Sequence, residues 1–124
     1  HLILGLPGES RDEMLQHAVE LSKLPIDFLK LHQLQIVKHT VMANQYRRNP
    51  EKFNLFEKED YLDLVINFIG LLRPDIVLER FISESPPELL IAPKWGLKNF
   101  EMVHLIEKKI ATENMWQGKF YIGP

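Results

Sequence analysis

At 124 residues, with a formal charge of −2 and 45% hydrophobic residues, the chain can bury one modest core and carries no overall basic field of the kind that marks a nucleic-acid binder. It contains no Cys, which excludes a disulfide framework or a thiolate metal site within these residues and fits a cytoplasmic location. No apolar run approaches the roughly 20 residues needed to cross a bilayer, so a soluble single domain over 1–124 is expected, and the apolar opening at His1 reads as a cut end with sequence missing before it.

His1-Leu2-Ile3-Leu4-Gly5-Leu6 is short, continuously apolar and halted by Pro7-Gly8, the pattern of a parallel strand buried on both faces. Ser10-Arg11-Asp12-Glu13 has the spacing of a capping box, in which Ser10 accepts from the Glu13 amide while Glu13 reaches back. A helix is therefore predicted from Arg11 to Lys23, with Met14, Leu15, Ala18, Val19 and Leu21 on its apolar stripe and Pro25 ending it. Phe28 to Val37 reads as a second strand of imperfect alternation. Leu29 and Leu31 share one phase and Leu34 and Ile36 the other, which calls for a bulge or for burial on both faces.

The polar stretch from Lys38 to Asn54, with Asn49-Pro50 inside it, is expected to form a long loop over one end of the sheet. Tyr61, Leu62, Val65, Phe68, Ile69 and Leu72 then keep helical spacing until Pro74. Ile76 to Ile82 is rich in β-branched residues and runs into Ser83-Glu84-Ser85-Pro86-Pro87, so a third strand ending in a turn is predicted. Ile91 to Gly96 is expected to be irregular. Asn99 is expected to cap a last helix reaching Ala111, with Phe100, Val103, Ile106 and Ile110 inward and Lys108-Lys109 near the negative end of its dipole. The order β-α-β-α-β-α, free of repeats, implies an α/β fold with parallel strands joined by crossovers, either an open layer or part of a barrel.

Four features carry candidate chemistry. Gly5-Leu6-Pro7-Gly8-Glu9-Ser10 joins a strand to a capped helix and could admit a nucleotide to bare backbone, or could simply make a tight turn. It lacks the residues of a Walker loop and the spacing of a dinucleotide fingerprint. His32, Gln33 and Gln35 lie on an otherwise apolar strand, either to hold substrate or as buried groups satisfied by neighbours. Glu79-Arg80 could pair or meet an anion, but adjacent strand residues point to opposite faces. Lys94-Trp95 could stack on a ligand, although a Trp anchoring its loop to the core is favoured. The five His show no metal-ligand spacing, so no metal site is expected here.

At these same residues the chain resembles the radical SAM (S-adenosylmethionine) superfamily. His1 to Ser10 is similar to the fifth-strand segment of such enzymes, and Leu29-Lys30-Leu31-His32-Gln33-Leu34-Gln35-Ile36-Val37 to the sixth strand. Leu78-Glu79-Arg80-Phe81, Ile91-Ala92-Pro93-Lys94-Trp95 and Trp116-Gln117-Gly118-Lys119 resemble the tail of a subgroup of bacterial iron–sulfur oxidoreductases related to the catalytic subunit of elongator and, more distantly, to oxygen-independent coproporphyrinogen oxidase.

The resemblance implies the carboxy-terminal portion of a partial (β/α)6 barrel, with residues 1–37 as its last two strands and 38–124 as an extension adding a strand and a helix. In the intact parent a [4Fe–4S] cluster, held by three cysteines after the first strand, would bind SAM and cleave it reductively to a 5′-deoxyadenosyl radical. The resemblance carries Ile3 and Gly5 over as packing against the adenine, and Leu34, Gln35 and Ile36 as offering backbone to its edge. The family pattern puts a glutamate at position 8, where this chain has Gly8 and then Glu9, so Glu9 is not carried over.

Without Cys the cluster cannot sit in these residues, so the segment alone is expected to be inactive and to have the missing N-terminal part as its first partner. The substrate is open, with transfer RNA a candidate if Arg47, Arg48, Lys94 and Lys98 gather on one face with an exposed Trp95. An unrelated α/β domain binding phosphate at the first helix is the other alternative. Apolar edges left by half a barrel imply self-association. The enzymatic reading turns on a backbone floor, made by the first glycine and the second strand, that is flat enough for a purine.

Overall fold

A computed structural model describes residues 1–123. Three parallel strands, β1 (Leu2–Leu4), β2 (Phe28–Gln33) and β4 (Val77–Arg80), form a sheet in the order β1-β2-β4. Helix α1 (Arg11–Leu21) connects the first pair, and α3 (Lys58–Leu71) leads into β4. The expected capping box is present: the Glu13 amide donates to Ser10 Oγ at 3.1 Å and the Ser10 amide to Glu13 Oε1 at 3.2 Å.

One face of the sheet is covered by helices. Leu4, Leu29 and Leu31 point into a core with Met14 and Ala18 of α1 and with Tyr61, Leu64, Val65, Phe68 and Ile69 of α3. Burying each large apolar side chain contributes about 1.5–3 kcal/mol, and α3 supplies more of them than any other helix. The opposite face has no such cover among the described residues. Ile3 is 43% exposed, Phe28 60% and Val77 51%, the exposed apolar strand surface that half a barrel implies.

The second strand is not continuous. Its chain leaves the first sheet after Gln33, and Ile36–Val37 becomes β3, antiparallel to β5 (Leu90–Ala92) in a separate two-stranded sheet. The two hydrophobic phases thus serve two clusters: Leu29 and Leu31 the main core, Leu34 and Ile36 a small one with Ala43. The stretch expected as loop folds into α2 (Val41–Arg48) and a 3-10 turn at Pro50–Lys52, and Ile91 pairs in β5 rather than being irregular.

Helix α4 (Asn99–Thr112) also differs from expectation. Its N-cap is Lys98, whose amide donates to Glu101 Oε1 at 3.0 Å. Asn99 instead accepts at Oδ1 from the amides of Phe81, at 2.9 Å, and Ile82, at 3.3 Å, tying the helix to the end of β4. The inward face is Met102 and Ile106 with Ile110 packed beside them, as expected for the two isoleucines, while Phe100 is 71% exposed. The Trp116-Gln117-Gly118-Lys119 segment closes the end of α3: the Gly118 amide donates to Ile69 O at 3.0 Å and Gln117 Nε2 to Arg73 O and Ile76 O at 2.9 and 2.8 Å.

Candidate functional site

Parallel strands end together, and the crevice beyond their carboxyl ends is where α/β folds place ligands. Here β2 ends at Gln33 and β4 at Arg80, and the segments that follow them meet through Gln35, Ser83 and Ser85 and together line a cleft of about 460 Å³. Lys94, Trp95 and Lys98 also line it. No three His, Asp or Glu side chains converge on a metal position among the described residues.

The polar residues of β2 converge on Ser83. Gln33 is 4% exposed, and its carboxamide accepts from the Ser83 amide at 2.7 Å while donating to Ser83 O at 3.2 Å. The His32 ring bonds Ser83 Oγ through Nδ1, and Gln35 donates to Ser83 O at 3.4 Å while accepting from Ser85 Oγ at 2.5 Å. Burial, then the nearby Arg80 cation, hold the His32 imidazolium below its ordinary pKa. Gln33 is therefore a satisfied buried amide. Ser83 and Ser85, read in the sequence as turn residues, are the missed members of the site. The unpaired polar groups of β2 signalled that partners existed without saying where.

The carried-over positions separate. Gly5 and Leu34 meet, since the Leu34 amide donates to Leu4 O at 3.0 Å. The side of Gly5 that lacks a Cβ faces Phe56, whose ring would stand 2.9 Å from an added carbon. Ile3 projects from the uncovered face opposite His32 in register, whereas the Leu34 and Ile36 side chains are buried at 8% and 0% exposure. Gln35 lies at the break between sheets, and its backbone N–H and C=O have no hydrogen-bond partner among the described residues. Glu9 is used locally, accepting from the Gly5 amide at 3.4 Å and meeting His17 Nε2 at 2.7 Å. Glu79 pairs with Lys30 at 3.9 Å on the uncovered face, and Arg80 with Glu84 at 3.9 Å.

Trp95 is half-buried. Its indole N–H donates to Phe56 O at 3.1 Å and its ring lies 5.3 Å from that of Tyr61, so it anchors its loop to the core and is not an exposed stacking platform. No described helix is long and apolar enough to cross a membrane.

A parallel sheet covered by helices on one face, open on the other and cleft at its carboxyl edge is the arrangement of a segment of a (β/α) fold. Residues 26–112 match the family model described as the Radical_SAM C-terminal domain, and the chain belongs to that family. It is similar to the uncharacterized protein YtqA of Bacillus subtilis, at 32% identity over 98% of this chain and 37% of that one. It is also similar to the uncharacterized protein MJ0486 of Methanocaldococcus jannaschii, at 30% identity over 95% and 36%. Protein YhcC of Escherichia coli is 35% identical over 77% of this chain and 30% of its own. The chain thus spans about a third of the length of these relatives. In fold it matches an archaeal Elp3 from Methanocaldococcus infernus with an N-terminal deletion, at a TM-score of 0.78 and 16% identity over 94% of this chain and 27% of that one.

The donor set limits which cofactor parts these residues could hold. With no Cys in the sequence and no converging His, Asp or Glu, an iron–sulfur cluster finds no ligands here. A purine edge, which needs one donor and one acceptor side by side, fits the unpartnered backbone of Gln35.

Proposed function

We propose that this chain is the carboxy-terminal wall of a radical SAM oxidoreductase acting in the cytoplasm, in which preceding segments of the same protein hold the [4Fe–4S] cluster and this segment holds the adenine end of SAM. The observation that carries the reading is the free donor–acceptor pair of Gln35 at the carboxyl end of a parallel strand, in a chain of this family. When bound, the cluster and SAM supply the one-electron chemistry that opens a radical reaction on substrate. The residues of this chain do the positioning. Gln35 offers its amide and carbonyl to the purine edge, Ile3 lays an apolar side chain on the uncovered sheet face, and Phe56 beneath Gly5 keeps that turn rigid. The exposed Ile3, Phe28 and Val77 belong under the missing part of the barrel, and without it the segment associates with itself and is inactive.

The test is an amide NMR titration of the full-length protein with S-adenosylhomocysteine, a stable analogue. Shifts are expected at Gly5, Leu34, Gln35 and Ile36. Shifts confined to other surfaces, such as α2, would remove the adenine assignment.

A further inference from the structure

The cleft beyond β2 and β4 has a charge pattern that its structural role does not use. Lys94 and Lys98 both line it and both are exposed, and neither forms an ion pair or a side-chain hydrogen bond among the described residues. The one carboxylate on the wall is already engaged, since Glu84 pairs with Arg80 at 3.9 Å and accepts from the Asn99 amide at 3.3 Å. Every other charged group in the lining is a cation, so the cleft favours an anion. Between the two lysines stand Trp95, Gly96 and Leu97, with Pro93 and Leu90 adding apolar surface. The lining also holds polar groups: the Gln35 carboxamide and Ser85, whose hydroxyl donates to Gln35 Oε1 and keeps its own oxygen free to accept. Such a site pairs an apolar body with a charged end.

We infer that this cleft binds a small organic anion, a molecule with a phosphate or carboxylate group held between Lys94 and Lys98 and a hydrophobic body against Trp95 and Pro93. The volume of about 460 Å³ suits a metabolite-sized ligand, because small-molecule sites run from roughly 300 to 1,000 Å³. The cleft also shares Gln35 with the proposed adenine edge, which makes the ligand a substrate candidate; that assignment, unlike the binding itself, rests on the proposed function. An extended RNA is the less fitting occupant, because a cleft of about 460 Å³ encloses a metabolite-sized body rather than a run of nucleotides.

Trp95 is followed in the full-length protein by fluorine NMR after 5-fluorotryptophan labelling, its signal being the one lost in Trp95→Phe. The labelled protein is titrated at low salt with pyrophosphate in one arm and citrate in the other, reading the Trp95 signal. Saturable change is expected in at least one arm, and the arm that responds names phosphate or carboxylate as the ligand's charged group. Lys94→Gln and Lys98→Gln should each weaken binding about tenfold, as for loss of one charge-assisted bond, while thermal melts stay unchanged because neither lysine is paired. No saturable response to either anion, or equal affinity after both substitutions, would overturn the site. Tight binding of a single-stranded RNA oligonucleotide with a steep salt dependence, and none of pyrophosphate or citrate, would overturn it in favour of a macromolecular partner. These outcomes are read without SAM, so they stand apart from the adenine test at Gln35.

Discussion

The carboxamide of Gln33 pairs with the backbone of Ser83 in both directions, accepting its N–H at 2.7 Å and donating to its C=O at 3.2 Å across a separation of 50 residues. A side chain here does what a neighbouring strand would do. It links the two chains three residues past the last β2–β4 pair, Lys30 with Arg80, and fixes the Ser83–Ser85 segment at the end of the sheet. Replacing Gln33 with Leu keeps the volume and orphans a buried donor and acceptor. A loss of about 2–3 kcal/mol in urea unfolding is expected, since an unsatisfied buried polar group costs roughly 1–3 kcal/mol. Gln35→Ala, at a half-buried site, should cost less than Gln33→Leu. The reverse ranking would show that the clamp resides at Gln35.

Gly5 and Gly8 bracket the turn after β1 with φ of +93° and +81°, values that L side chains resist. They separate on what surrounds them. A carbon added at Gly5 would stand 2.9 Å from Phe56 Cε2, whereas one at Gly8 would meet nothing within 4 Å. Gly8→Ala should therefore cost only the left-handed backbone penalty, about 1–2 kcal/mol, and Gly5→Ala that penalty plus displacement of the Phe56 ring. Equal melting temperatures for the two variants would mean that Phe56 yields without cost.

The sequence announced elements whose signals are local. The capping box at Ser10 and Glu13 and the apolar stripe ending before Pro74 both stand in the structure because i, i+3 and i, i+4 relationships suffice to specify them. Elements decided by distant partners were not legible. The change of phase after Leu31 was visible, but that it marked a switch between sheets depended on β5, more than fifty residues onward. Helix α2 hides because Ala43 is its one fully buried residue, although Thr40, accepting from the Ala43 amide at 3.1 Å, was a cap in plain view. Asn99 looked like a cap by type and became a tertiary link because the amides of Phe81 and Ile82 needed an acceptor. At the site, the polar residues of β2 were found and the two serines that answer them were not.

Arg73 holds the segment that leaves α1. Its Nη1 donates to Ser22 O and Leu24 O at 3.0 and 2.9 Å, its Nη2 to Ile26 O at 2.7 Å, and its own amide to Ser22 Oγ at 2.9 Å. These carbonyls lie where Pro25 prevents the helix from continuing, so the guanidinium does the work of a C-cap. Arg73→Ala should destabilise by about 2–3 kcal/mol, and Lys should recover little because an ammonium cannot span three carbonyls in a plane. Asp75, whose carboxylate meets Arg73 Nε, is 74% exposed in its side chain, and Asp75→Asn should cost under about 1 kcal/mol. Full recovery by Arg73→Lys would show that charge, not the fork of donors, secures the turn.

His32 gives the fold a pH dependence of defined sign. Burial is the first cause of its lowered pKa, followed by the cations of Arg80 and Lys30, all of which disfavour the imidazolium in the folded chain. The unfolded chain regains the ordinary value of 6.5, so below it the unfolded state binds a proton that the folded state refuses. The contribution of His32 is therefore complete above the unfolded pKa and is lost as pH falls through the depressed folded one. The urea midpoint should drop between about pH 7.5 and pH 5.5. His32→Asn, which keeps a polar group facing Ser83, should flatten that decline. An unchanged slope in the variant would place the titrating group elsewhere.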